Sequence, residues 1–285
     1  MRQVGNSSAK PKRQTIPDKK PLAVPVLLGL LLPVLFSGCS LENRDKPGEF
    51  DPYWAVIWDG DIYLTADHEI GALNTLVIRP GTRVHFAGES GRIILAVFGG
   101  LDIQGQAGDK VRFLNDNGLT NEIHYLAIAQ FTQHDCAYAD FGDNKFVAEK
   151  DISMENCRIG RMEAYNFTAV SLRSCVVGQL ICYQNSSLSA RNCDFDTASF
   201  PSLSSGGLNL VFDGLSAATV RQCNFWGCST RPLSTGYVVE DFTSGVLDLT
   251  QNYWRTINAG YISSTLVFND TFGTLQTTMP ASYPY

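Results

Sequence analysis

Arg173, Arg191 and Arg221 stand 18 and 30 residues apart, each two residues ahead of a cysteine. Guanidinium groups gathered on one face would offer forked donors to the carboxylates of a uronate chain or to sulfate. Trp226 and Tyr237 lie in a stretch rich in Ser and Gly just beyond Arg221 and would add aromatic contacts to a sugar chain. The other reading of the arginines is a solvated face whose partners are Glu155 and nearby acids. Asp194 and Asp196 straddle Phe195 and share a face, but no third acid joins them, and hydrolysis of a glycoside wants two facing carboxylates about 5–9 Å apart. His124, His134 and Asp135 form no spaced ligand set, and no Cys-x-x-Cys pair occurs, so neither a metal nor another cofactor is expected.

These residues are positioned by a pattern written five times: apolar, x, apolar, x, polar, Cys, x, apolar. The copies begin at Ile152, Val170, Leu188, Ala218 and Leu247, with Cys157, Cys175, Cys193 and Cys223 in the sixth slot and Asn252 in the last copy. A recurring unit that cannot bury its own apolar side implies stacked coils of a solenoid. Slots one and three alternate with polar residues, as a half-buried strand requires. The alternation slips at slot five (Asn156, Ser174, Asn192, Gln222, Gln251), where a left-handed bend fits. Strand, bend, strand predicts parallel strands whose equivalent side chains pile up at about 4.8 Å. The arginines occupy slot four, so they form one outward column, which would repel itself unless neutralised.

The longer intervals leave Thr197 to Leu215 and Trp226 to Ser244 as loops, with Phe200, Phe212, Trp226, Tyr237 and Phe242 folding back over the coil or lining a binding side. Seven cysteines follow Cys39, an odd number. Four share an inward slot and read as a column of buried free thiols. Cys223 with Cys228 is the more plausible bridge.

The N-terminal 38 residues read as a signal peptide. Six basic residues and Asp18 precede an apolar run from Pro21 to Phe36, too short and too rich in proline for a membrane-spanning helix. Phe36-Ser37-Gly38-Cys39 resembles the lipobox of bacterial lipoproteins, which implies acylation of Cys39. Ser40 after the cysteine resembles lipoproteins sorted to the outer membrane of Gram-negative bacteria. Residues 39–52 then serve as the acylated cysteine and a polar tether, and 53–285 form one solenoid domain of roughly ten coils. After residue 38 the chain holds 16 basic and 27 acidic residues, a net charge of −11, which argues against nucleic acid as a partner.

The first half carries Leu76-Val-Ile-Arg-Pro80-Gly81-Thr82-Arg-Val84-His-Phe86, then Leu101-Asp-Ile103-Gln-Gly105 and Val111-Arg-Phe113; near the end comes Gln251-Asn-Tyr-Trp-Arg-Thr256. These segments resemble the bacterial right-handed parallel β-helix proteins of pectin-lyase-like type. The resemblance implies an all-β, single right-handed parallel β-helix behind a lipoprotein signal. It does not fix an activity, because that superfamily holds polysaccharide lyases, hydrolases, adhesins and other surface proteins. Its lyases pair a Lys or Arg base with calcium-binding carboxylates, whereas residues 151–285 contain no Lys. The expectation is therefore a non-enzymatic surface or periplasmic lipoprotein. It would be held in the cell envelope by its lipid and would present a solenoid face to a polysaccharide or an envelope protein. The alternative is a polysaccharide lyase or hydrolase acting on acidic glycans.

Overall fold

The computed structural model describes residues 54–89, 91–128, 134–183, 185–203, 210–214, 217–226, 239–243, 246–254, 266–268, 274–276, 281 and 284. Cys39, the signal segment, the tether, Tyr237 and Cys228 lie outside the described residues.

The chain is all-β, and every strand pairing between named strands is parallel. Ten strands make the first sheet, in sequence order: Trp54–Trp58, Asn74–Ile78, Gly100–Gln104, His134–Ala137, Ile152–Glu155, Ala169–Arg173, Ser187–Arg191, Ala217–Arg221, Val246–Asp248 and Thr274–Gln276. Each coil contributes one of them, which gives the ten coils expected from chain length. The remaining strands form a second sheet of two ladders. These are joined where Arg158–Ala164 and Val176–Cys182 run unbroken from one ladder to the other. Such stacking of coils is compatible with a parallel β-helix. At Gly160 and Gly178, where the long strands cross the join, an added Cβ would meet the carbonyl of the preceding coil at 2.4 and 2.5 Å. Among the described residues no helix is long and apolar enough to cross a membrane.

The repeat is realised slot by slot. Ile152, Val170, Leu188, Ala218, Leu247 and Leu275 are register partners in turn, and Met154, Leu172, Ala190 and Val220 form the parallel inward column. At slot five the backbone turns left-handed in every copy: φ is 55° at Asn156, 53° at Ser174, 54° at Asn192, 55° at Gln222 and 59° at Gln251. Tyr138 does the same one coil earlier, at 48°. The left-handed step absorbs the one-residue slip and returns slots six and eight to the interior.

Two interior columns follow the bend. Cys157, Cys175, Cys193 and Cys223 stack within the core, all buried and all free thiols. Each donates its S–H to the carbonyl two residues back, as Cys193 does to Arg191 at 3.3 Å. Cys223 is a free thiol engaged in this column, and Cys228, its expected bridge partner, lies outside the described residues. Beside it run Phe195, Phe225 and Trp254, with ring centroids 4.9 and 4.1 Å apart and nearly parallel planes. Stacked aromatic pairs contribute about 0.5–1.5 kcal/mol beyond their burial.

Two segments expected as loops contain strands. Leu210–Gly214 and Val239–Thr243 extend the second sheet, pairing in register with each other and, for the first, with Leu180 to Cys182. Leu210 and Phe212 are buried, so their alternation is that of a strand with one inward side. Phe200 does fold back: it is buried beneath the Arg158 guanidinium, 4.2 Å from the ring centroid.

Candidate binding face

The outward side of the first sheet is built from slots two and four. Slot two presents Ser153, Ser171, Ser189, Thr219 and Asp248, and slot four presents Glu155, Arg173, Arg191 and Arg221, each column in register from coil to coil. The hydroxyl column borders a shallow trough of about 530 Å³. Ser171, Ser189, Thr219 and Asp248 line it together with Ala169, Ser187 and Ala217, and the arginine column stands beside it, outside its lining.

Neutralisation of the arginines is uneven. Arg221 is held by Asp248, with Nε 3.0 Å from Oδ2. Burial raises the Asp248 pKa, but hydrogen bonds from Arg221 and from Thr250 outweigh it and hold the carboxyl below its ordinary value. Arg173 is 69% exposed and reaches Glu155 only at 3.9 Å. Arg191, between them, donates from Nε to Gln222 Oε1 at 2.6 Å. No carboxylate among the described residues lies within ion-pair distance of Arg191. Three cations therefore face two acids, and the positive charge is concentrated on the two central coils.

Trp226 is not brought to this column. It follows the bend and the Asn224–Phe225 strand of the second sheet, donates from Nε1 to Asp194 at 3.1 Å and meets Tyr253 edge to face. Asp194 also accepts from Asn224 at 2.7 Å, and Asp196 caps the turn Thr197–Ser199 through Ala198 N and Ser199 Oγ. Both carboxylates are occupied in holding local structure.

A second polar arrangement, on the outward side of the second sheet, does not declare itself in the sequence. Glu122, Lys145 and Arg161 are register partners on successive coils, with His124 and Glu163 in the adjacent column. Lys145 Nζ lies 2.7 Å from Glu122 and 3.4 Å from Glu163. Glu122 also meets Arg92 at 3.0 Å and His124 Nε2 at 2.8 Å; Glu163 meets Arg161 at 2.7 Å and accepts from Tyr165 at 2.9 Å. The two carboxylates are 8% and 6% exposed. Burial pushes the Glu122 pKa up, yet the contacts from Lys145, His124 and Arg92 outweigh it and keep the carboxyl below its ordinary value. Burial, then the hydrogen bond to Glu163, pushes the Tyr165 hydroxyl well above its ordinary value. His134, weighed in sequence beside His124, belongs to the first sheet and so to another face.

No protein-family model, curated protein or solved structure matches this chain, so its functional reading rests on these two polar arrangements.

Proposed function

We propose that this chain is a lipid-anchored cell-envelope protein of right-handed parallel β-helix type, similar to the pectin-lyase-like proteins, whose outward arginine column binds an acidic polysaccharide. The anchor is Cys39, and the compartment is the outer membrane of a Gram-negative bacterium. The observation that carries the binding reading is the in-register column of Arg173, Arg191 and Arg221 beside a floor of hydroxyl groups. A linear polyanion laid along the solenoid axis would meet one guanidinium per coil, at about 4.8 Å intervals. Arg191, which has no acidic partner among the described residues, is the central contact. The test is retention of wild type and Arg191→Glu on immobilised alginate, pectate and heparin. Loss of at least about tenfold in affinity is expected from reversing a charge with no local acid to replace it; equal retention removes the proposal. Labelling with a palmitate analogue tests the anchor separately.

The second reading, a lyase or hydrolase for acidic glycans, is favoured by one observation: a lysine between two carboxylates with a histidine bonded to one of them. Release of unsaturated products from pectate or alginate, abolished by Lys145→Met, would support it.

A further inference from the structure

We infer that the corner of the first three coils, beside Trp54, rests on the lipid bilayer to which the chain is anchored; this rests on the lipid-anchored reading above and adds an orientation to it. At this corner each coil leaves the second sheet and enters the first. The first two crossings read Gly71-Ala72-Leu73 and Phe98-Gly99; the third opens with Leu126-Ala127-Ile128 and runs on to Gln133 outside the described residues, and none of the three has a charged residue in its sequence. Their backbones stack directly, Phe98 N donating to Ile70 O at 2.9 Å and Ile128 N to Phe98 O at 2.8 Å. Trp54 joins them through its N–H to Leu73 O at 3.1 Å.

The side chains make an apolar ridge. Trp54 is 59% exposed, Leu73 64% and Ile128 66%, with half-buried Phe98 and Leu126 between them. Single exposed apolar residues are ordinary on a protein surface, but a contiguous run rimmed by polar residues marks a contact. The fourth crossing, Glu149-Lys150-Asp151, ends the run.

Lipid is the occupant the chain itself selects. Only 14 residues separate Cys39 from Trp54, at most about 50 Å of chain, and they end at the ridge itself. The first coil is thus held near the bilayer at high effective concentration. Trp54 suits the headgroup level, where an indole keeps its N–H wet and its ring in the acyl boundary. The arginine column occupies later coils of the first sheet, so the contact leaves it open to a glycan.

The test uses the acylated full chain in phosphatidylcholine vesicles whose acyl chains carry bromine, reading quenching of tryptophan emission after flotation. Quenching is expected, carried by Trp54 and lost in Trp54→Phe. Leu73→Asp with Ile128→Asp should cut it at least about twofold, as charges are driven from the apolar boundary. Tyr63→Ser, an exposed residue on the second sheet, should leave it intact. Protein that floats without quenching overturns the ridge contact and leaves the anchor standing. Protein that neither takes up palmitate nor floats overturns the anchor, and this orientation with it. A concentration-dependent dimer dissolved by the double Asp variant, without quenching, assigns the ridge to a second copy and overturns lipid as its occupant. Circular dichroism of each variant confirms that its strands are intact.

Discussion

The Lys145 ammonium sits 2.7 Å from the Glu122 carboxylate, on the adjacent coil. With Glu163 on its other side, it ties three coils of the second sheet together across their outward side. Removing it leaves two nearly buried carboxylates with fewer cations between them, and unpairing a buried charge is costly where replacing the whole pair is not. Lys145→Met is expected to destabilise by about 2–4 kcal/mol, less than for an isolated pair because Arg92 and Arg161 remain. Adding Glu163→Gln should recover part of that loss. Urea midpoints of the two single variants and the double variant give the coupling, and strict additivity would show that the three groups do not act together.

The buried cluster and the Arg221–Asp248 pair together set an acid limb. Glu122 and Asp248 both have folded-state pKa values below the ordinary 4.5 and 3.8. A depressed carboxylate stabilises fully above its unfolded value, and that contribution is lost as pH falls through the lower folded one. Stability should therefore be level near neutrality and fall below about pH 4.5. Glu122→Gln should start lower at pH 7 and show a shallower acid limb. Denaturation midpoints at pH 7 and pH 3 measure the difference; an unchanged acid slope would mean that Glu122 does not contribute to it.

What could be read in the sequence follows from how the information is spaced. The arginine, serine and cysteine columns were legible because each coil from Ile152 to Trp254 writes the same slots in the same order, so one strand's alternation fixed its neighbour's. The left-handed bend was legible from a two-residue polar slip that no continuous strand would carry. The Glu122, Lys145 and Glu163 cluster was not legible. Its members come from three coils that share no repeating pattern, and each residue alone is an ordinary surface charge. Leu210–Gly214 and Val239–Thr243 are hidden in the sequence for a different reason. Each is five residues long and sits inside a Ser- and Gly-rich stretch whose composition outweighs a brief apolar alternation. Trp226 is near Arg221 in the chain, but the bend at Gln222 turns it onto another face.

That bend is testable at Ser174. With φ at 53° and an exposed side chain, Ser174 carries the cost of a Cβ in the left-handed region and gains little from its hydroxyl. Ser174→Gly should raise stability by about 0.5–1 kcal/mol, the relief of strain exceeding the added freedom of the unfolded chain. Ser174→Val should lower it by about 1–2 kcal/mol, since a β-branched residue fits that conformation worst. Guanidinium midpoints of the pair decide it, and a stabilising Val would remove the argument from backbone geometry.

The thiols should be silent until the coils open. Burial pushes Cys182 up to about 12 and Cys136 well above the usual thiol range; Cys157 is raised by its hydrogen bond with Cys175 and then by burial. For these three neither thiolate character nor access favours reaction; Cys175 is lowered by hydrogen bonds from Cys157 and Cys193, and burial alone keeps it from reagent. In a Cys228→Ser variant no thiol of the folded domain should react with an aromatic disulfide reagent at pH 8, and all should react once guanidinium unfolds the chain. Rapid labelling of the folded protein would mean that the column opens locally.

Asn252 stands where the other four copies place cysteine, and the repeat alone invites replacing it. Its contacts argue the reverse. Oδ1 accepts from Cys223 N at 2.9 Å, while Nδ2 donates to Val220 O at 2.7 Å and to Leu249 O at 2.8 Å, and the side chain is fully buried. It is the polar end of the thiol column, satisfying three backbone groups just after the last cysteine. A thiol can accept weakly from Cys223 N, as the Cys223 sulfur does from Cys193 N at 3.4 Å. It cannot supply two donors to carbonyls on different coils. Asn252→Cys is thus expected to destabilise by about 2 kcal/mol, and Asn252→Leu by more, since each buried group left unpaired costs about 1–3 kcal/mol. Amide exchange at Cys223 should quicken in both. A cysteine variant as stable as wild type, with Cys223 still protected, would show that the column needs no polar terminus.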